Sequence, residues 1–163
     1  MIRTSIVSTV AIGLAGLALV GCAAARPAPQ PPADVKAEVR LALQRWSDLA
    51  GAGDLAAFMA QFDEGADLLV VGSDKGEVFQ GRAAIEGWLG KLLAGNRFGW
   101  QMDRVDIDVN GDTAWAFVDG SMTVRAPGGK VRFTTPYRFT AVLVKRGDRW
   151  AWRLFHGSVP AKE

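Results

Sequence analysis

The strongest constraint on the fold is an alternation of apolar and polar residues that begins at Arg97 and continues almost to the C-terminus. From Val105 to Val109 every second residue is an aspartate, and a period of two is typical of a β-strand with one buried face. Asn110-Gly111 is a strong signal for a tight turn. Turns are also predicted at 127–129 and 146–148. The pattern therefore predicts four long antiparallel strands, over 97–109, 113–125, 130–145 and 149–158.

The residues before Arg97 follow a different period, with apolar side chains recurring every three or four positions, which is typical of amphipathic helices. Asp34 and Asp54 are favourable N-cap residues. A short hairpin with strands at 67–71 and 77–80 precedes the last helix. The sequence predicts an α+β fold in which three helices, near 34–50, 54–62 and 82–94, pack on one face of a strongly curved antiparallel sheet.

The N-terminus has the pattern of a bacterial export signal. Arg3 supplies a positive charge, and the apolar run from Ile6 to Val20 is short for a membrane span but suits a signal peptide. Gly21-Cys22 is similar to the end of a lipobox, which implies lipidation of Cys22, whereas a plain secretory signal is the alternative. We expect a signal peptide at 1–21, the lipidated cysteine and a proline-rich tether at 22–33, and one domain at 34–160. Lipid chains would anchor the protein stably, with a periplasm-facing location at the outer membrane.

Charge and cysteine content exclude several classes of function. Lys and Arg number 19 against 17 Asp and Glu, which is too balanced for a nucleic-acid partner. The chain has one Cys and one His, so neither a disulfide nor a His/Cys metal cluster is expected. The run DIDVNGDTAWAF is superficially like a calcium loop, but Phe117 stands where a glutamate is required. We expect no metal and no cofactor.

Four segments resemble the nuclear-transport-factor-2-like superfamily, in its SnoaL-like branch. They are AGDLAAFMAQF, LLVVGSDKGEVFQGRAAIEGWL, YRFTAVLVKRGDRW and WAWRLFHGSVP, and they extend over nearly all of the chain after Asp34. The resemblance implies a cone-shaped fold that encloses one pocket, often in a homodimer formed through the outer face of the sheet. Members include ketosteroid isomerases, dehydratases, polyketide cyclases, binding proteins and assembly modules, so the fold does not give the function.

The last strand suggests which polar groups enter the pocket. His156 and Ser158 share a strand face with Trp150 and Trp152, so we expect them to face the concave side. A three-residue turn at 146–148 would place Arg138 opposite His156. Arg138, His156 and Ser158 would then converge on the pocket. A two-residue turn would instead direct Tyr137 and Phe139 inward.

Tryptophans from different elements are expected to face the same interior. An apolar pocket with few polar groups suits a small hydrophobic ligand, and binding of such a molecule is the favoured function. The aromatic pocket residues are predicted to be Trp46, Trp88, Trp115 and Trp152.

Two alternatives remain open. One is a SnoaL- or ketosteroid-isomerase-like lyase or isomerase, for which Asp119 and His156 are weak candidates for the base and Tyr137 for a hydrogen-bond donor. Glu77 and Asp67 are other carboxylates in the matched segments. The second alternative is a structural dimerisation module.

Overall fold

A computed structural model describes residues 33–161. The predicted order of elements is confirmed: α1 (Ala33–Ala52), α2 (Leu55–Met59), β1 (Leu69–Val71), β2 (Val78–Gln80), α3 (Arg82–Gly95), β3 (Arg97–Asn110), β4 (Thr113–Arg125), β5 (Val131–Arg146) and β6 (Arg149–Ser158). The signal peptide, Cys22 and nearly all of the tether lie outside the described residues, and membrane anchoring stays a prediction. Within 33–161 no helix has the length and apolar character needed to cross a bilayer.

The strands form one curved, unclosed sheet in the order β2-β1-β6-β5-β4-β3. All neighbouring strands are antiparallel except the pair β1 and β6, which is parallel. The sheet is therefore mixed where the sequence predicted an antiparallel one, because β1 and β6 are joined by a long connection through β2, α3 and the other strands and not by a hairpin. The helices cover its inner face, as expected for an α+β fold.

Helix α1 is fastened to the sheet along an apolar stripe. Val39, Leu43, Trp46 and Ala50 recur at helical spacing and are almost fully buried. Ser47, on the same side of the helix, is also buried, and its Oγ accepts a hydrogen bond of 3.1 Å from the backbone N–H of Trp100. The stripe thus fixes α1 against β3 and brings Trp46 into the centre of the core.

The register between β5 and β6 differs from the preferred prediction. Arg146 pairs with Arg149, so the turn has two residues and the predicted three-residue turn is wrong. The open alternative is confirmed, since Tyr137 and Phe139 are buried on the inner face. The length of a hairpin turn sets which face every following side chain occupies.

A β-bulge reverses the alternation in the middle of β6. Leu143 pairs with Trp152, but its neighbour Val142 pairs with Leu154, so Arg153 is an extra residue without a partner in the ladder. A bulge of this kind changes which residues face the core. Before the bulge the even-numbered Trp152 faces the core, whereas after the bulge the odd-numbered residues do.

Asp63 holds the bulged residue in place. Its side chain is 4% exposed and accepts hydrogen bonds from Arg146 at 2.9 and 3.0 Å and from Arg153 at 2.9 Å. A second guanidinium nitrogen of Arg153 lies 2.7 Å from Asp67, and the backbone N–H of Asp63 donates to the carbonyl of Trp152 at 2.8 Å. The hydrogen bonds from Arg146 keep the pKa of Asp63 below its ordinary value of 3.8.

Replacing Asp63 by asparagine should destabilise the fold in a pH-dependent way. We expect a loss of about 1 to 2 kcal/mol in the free energy of unfolding near neutral pH, since charged hydrogen bonds are lost but Arg146 is half exposed. Because the carboxyl pKa is lower in the folded protein than in the unfolded chain, the ionised carboxylate stabilises the fold at pH values above the unfolded-state pKa. This stabilisation disappears as the pH falls through the folded-state pKa. The difference between wild type and Asp63→Asn should therefore shrink below about pH 4.

Urea unfolding of both proteins at about pH 7 and about pH 3 measures this difference. Asp67→Asn is the matched control, because the Asp67 side chain is 78% exposed and its removal should cost little. Equal stability of wild type and Asp63→Asn at neutral pH would contradict the role given to Asp63.

Candidate ligand cavity

A cavity of about 350 Å³ lies between the helices and the inner face of the sheet. Its volume is at the small end of the range of ligand pockets, roughly 300 to 1,000 Å³. Buried side chains form its base and exposed ones, Phe133 and Val159, mark its mouth. The residues that line the base are mostly aromatic or aliphatic: Trp46, Ala50, Phe58, Phe62, Val70, Leu89, Leu93 and Phe155.

Trp46 is the centre of the aromatic base. Its ring centroid lies 4.5 Å from those of Trp100 and Trp152, 5.1 Å from Phe155 and 5.3 Å from Phe58. Contacts at these separations each contribute about 0.5 to 1.5 kcal/mol beyond area burial. The indole N–H groups of Trp46 and Trp100 have no hydrogen-bond acceptor within the described part of the chain, and both residues line the cavity.

Four polar side chains that line the cavity lie close to one another. Ser73, Asp74 and Glu77 come from the turn between β1 and β2, and Tyr137 comes from β5. The side chain of Ser73 lies close to the Tyr137 hydroxyl and acts to lower the pKa of the phenol. Tyr137 is only 5% exposed, and its burial, followed by the nearby charges of Glu77 and Asp74, raises its pKa to about 12. The phenol therefore stays protonated, as a hydrogen-bond donor, at any physiological pH.

Two glycines give these polar groups their space. A Cβ at position 157 would lie 1.9 Å from the Tyr137 hydroxyl oxygen, and one at position 72 would lie 2.0 Å from Oε2 of Glu77. Real side chains do not approach so closely, and glycine permits such approaches. Gly157 and Gly72 therefore determine where the hydroxyl and the carboxylate lie.

The four tryptophans predicted for the pocket are placed differently from one another. Trp46 and Trp88 line the cavity. Trp152 is fully buried beneath Trp46 and does not reach the cavity surface. Trp115 is 48% exposed on the outer face of the sheet, because the inward positions of β4 beside it are taken by Ala114 and Ala116.

The predicted polar residues do not line the cavity. Beyond the bulge, Phe155 and Gly157 face inward, so His156 and Ser158 point to the outer face and are exposed. Arg138 also lies there and pairs with Asp119 at 3.0 Å, the two side chains being 50% and 42% exposed. The predicted convergence of Arg138, His156 and Ser158 in the pocket is therefore wrong. The two-residue turn leaves Arg138 on the outer face, and the bulge turns His156 and Ser158 to the same face. Asp119 shares this outer face. Neither candidate base, Asp119 nor His156, faces the cavity.

Several cavity residues had weak signals in the sequence. The inward position of Tyr137 follows from the two-residue turn, an alternative that the sequence analysis left open. Glu77 lies in a segment that matched the family, but nothing in its pattern shows that its side chain turns toward a cavity. Asn96 and Phe98 follow α3 and also line the cavity. Their location depends on how α3 packs against the sheet, and no local sequence pattern predicts that packing.

Tyr137 is the only tyrosine in the chain, so its ionisation can be measured directly. In the folded protein the tyrosinate absorbance should rise with a midpoint of about 12, against the ordinary value of 10.0. In denaturant the midpoint should return to the ordinary value, because burial is the main cause of the shift. Tryptophan fluorescence followed in the same titration shows whether the protein is still folded. A midpoint at the ordinary value in a folded protein would contradict the burial of this hydroxyl.

Solved structures with the same fold come from several bacteria. A candidate dehydratase of the nuclear-transport-factor-2-like family from Streptomyces avermitilis is 19% identical, with a TM-score of 0.69 over 79% of this chain and 99% of that chain. A nuclear-transport-factor-2-like superfamily protein from Salmonella enterica serovar Typhimurium is 21% identical, with a TM-score of 0.67 over 79% of this chain and 93% of that chain. A candidate calcium/calmodulin-dependent protein kinase II association domain from Xanthomonas campestris is 19% identical, with a TM-score of 0.62 over 77% and 88%. At these identities the likeness concerns the fold.

Sequence comparison gives the family itself. A search of the curated proteins finds no match. The family model of the SnoaL-like domain matches residues 39–162, which is most of the chain and nearly the whole of the described fold. The chain therefore belongs to the SnoaL-like domain family.

Proposed function

We propose that this protein binds a small, largely apolar organic molecule in the cavity between its helices and the inner face of its sheet. The observation that carries the proposal is the form of the cavity, which has an aromatic base, a polar side and an exposed mouth. Ligand pockets commonly combine apolar walls with a few polar groups that orient the molecule. Anchoring to the bacterial envelope through Cys22 would place this cavity in the periplasm, and a homodimer through the outer face also stays a prediction.

Filling the cavity should abolish binding without unfolding the protein. Leu92 is half-buried and lines the cavity, and Leu92→Trp would place a large ring inside it. We expect the affinity for the neutral fluorescent probe N-phenylnaphthylamine to fall about tenfold or more, because the space is occupied. Probe fluorescence and the ligand-dependent shift in melting temperature both report binding.

The matched control is the same substitution at Leu41, which is 69% exposed on α1 and does not line the cavity. Leu41→Trp should bind the probe as the wild type does. Equal affinity of wild type and Leu92→Trp, with both proteins folded, would show that the probe binds elsewhere and would count against the proposal.

Acid–base catalysis is a second candidate function, because Glu77 and Tyr137 line the same cavity. For a β,γ-unsaturated ketone, the Glu77 carboxylate would remove a proton from the carbon between the alkene and the carbonyl. The electron pair would move into the dienolate, whose oxygen accepts a hydrogen bond from the Tyr137 hydroxyl. The same proton would then return to the γ carbon, giving the conjugated enone without a change in composition.

This candidate predicts isomerisation of cyclohexenone from its unconjugated to its conjugated form, followed by the absorbance of the enone. Glu77→Gln and Tyr137→Phe should each lower the rate about a hundredfold or more, whereas Asp119→Asn, on the outer face, should leave it unchanged. Absence of turnover above the buffer rate would remove this candidate and leave the binding proposal in place.

A further inference from the structure

The charged groups of the cavity all have the same sign. Among the described residues that line it, Asp74 and Glu77 carry carboxylates, and Lys, Arg and His are absent. The ion pairs within residues 33–161 join other carboxylates to basic groups. The negative charge beside the mouth is therefore not compensated by a partner across the cavity.

The turn that carries the two carboxylates is held by its own hydrogen bonds. Oε2 of Glu77 accepts from the backbone N–H of Asp74 at 3.1 Å, and the backbone N–H of Gly72 donates to the carbonyl of Glu77 at 2.8 Å. Because Gly72 has no side chain, the Glu77 carboxylate packs directly over it, at the lining of the cavity. The position of the charge is thus fixed before any ligand arrives.

The rest of the cavity is suited to a positive charge attached to an apolar body. Aromatic faces attract cations, and Trp46, Trp88 and Trp100 all line the cavity. An organic anion would meet these faces and two carboxylates with no basic group to pair with.

We infer that the cavity selects an organic cation, with its apolar body on the aromatic base and its ammonium group beside Asp74 and Glu77, over an organic anion of the same shape. This inference rests on the proposed ligand-binding function and specifies the chemical class of the ligand. The aromatic base provides most of the contact area, and the turn between β1 and β2 provides the choice of charge.

Three probes with one skeleton test the inference: naphthylmethylammonium, naphthylmethanol and naphthoate, titrated calorimetrically into the purified full chain near neutral pH. Attraction to two partly exposed carboxylates predicts that the ammonium binds about tenfold more tightly than naphthoate, with the alcohol between them. The double variant Asp74→Asn/Glu77→Gln should reduce this ratio to about threefold or less, while its affinity for the alcohol stays close to that of the wild type.

The control is Glu86→Gln/Asp148→Asn, which removes two exposed carboxylates that do not line the cavity and should leave the ratio unchanged. Asp74→Asn alone, at an exposed position, should give a partial reduction and guards against collapse of the turn in the double variant. Naphthoate binding as tightly as the ammonium, or an equal fall of the ratio in the control, overturns the inference. If the alcohol binds and Leu92→Trp abolishes its binding, the proposed function survives that result. If no probe binds, both fail together.

Discussion

The bulge at Arg153, held by the buried carboxylate of Asp63, determines which side chains of the last strand enter the core. Before the bulge, Trp152 lies inside, and after it Phe155 and Gly157 do. Without the extra residue the alternation would bring His156 and Ser158 inside and remove an aromatic ring from the base of the cavity. One ion-paired residue thus sets the chemical character of the interior, which is aromatic and free of histidine.

The same bulge makes the position of Tyr137 possible. Gly157 faces inward only because the parity of β6 has changed, and the Tyr137 hydroxyl occupies the space that a side chain at 157 would fill. The buried hydroxyl of the cavity is therefore positioned by a missing side chain on the neighbouring strand. Since the phenol is buried, it stays protonated and acts as a fixed donor for any molecule bound there.

Local patterns predicted the elements of this fold well. Alternation around Val105 and the Asn110-Gly111 turn gave the β3–β4 hairpin, and Asp54 caps α2 as expected, its Oδ1 accepting from the backbone N–H of Ala57 at 3.0 Å. Periodicity did not reveal the bulge, because Arg153 looks like any outward-facing residue until Asp63 is brought near by the fold. The prediction that Trp115 faces the interior with the other tryptophans is wrong, because the inner face of β4 takes alanines at the neighbouring positions.

The candidate site divides into two parts that the chain builds independently. Helices and long strands supply the aromatic base, which also stabilises the fold, so its residues cannot change freely without loss of packing. The β1–β2 turn supplies the charged residues Asp74 and Glu77 and has few buried contacts. Under the proposed binding function, substitutions in the turn would therefore alter the choice of ligand at little cost in stability, and one cone-shaped fold could serve unrelated functions in this way.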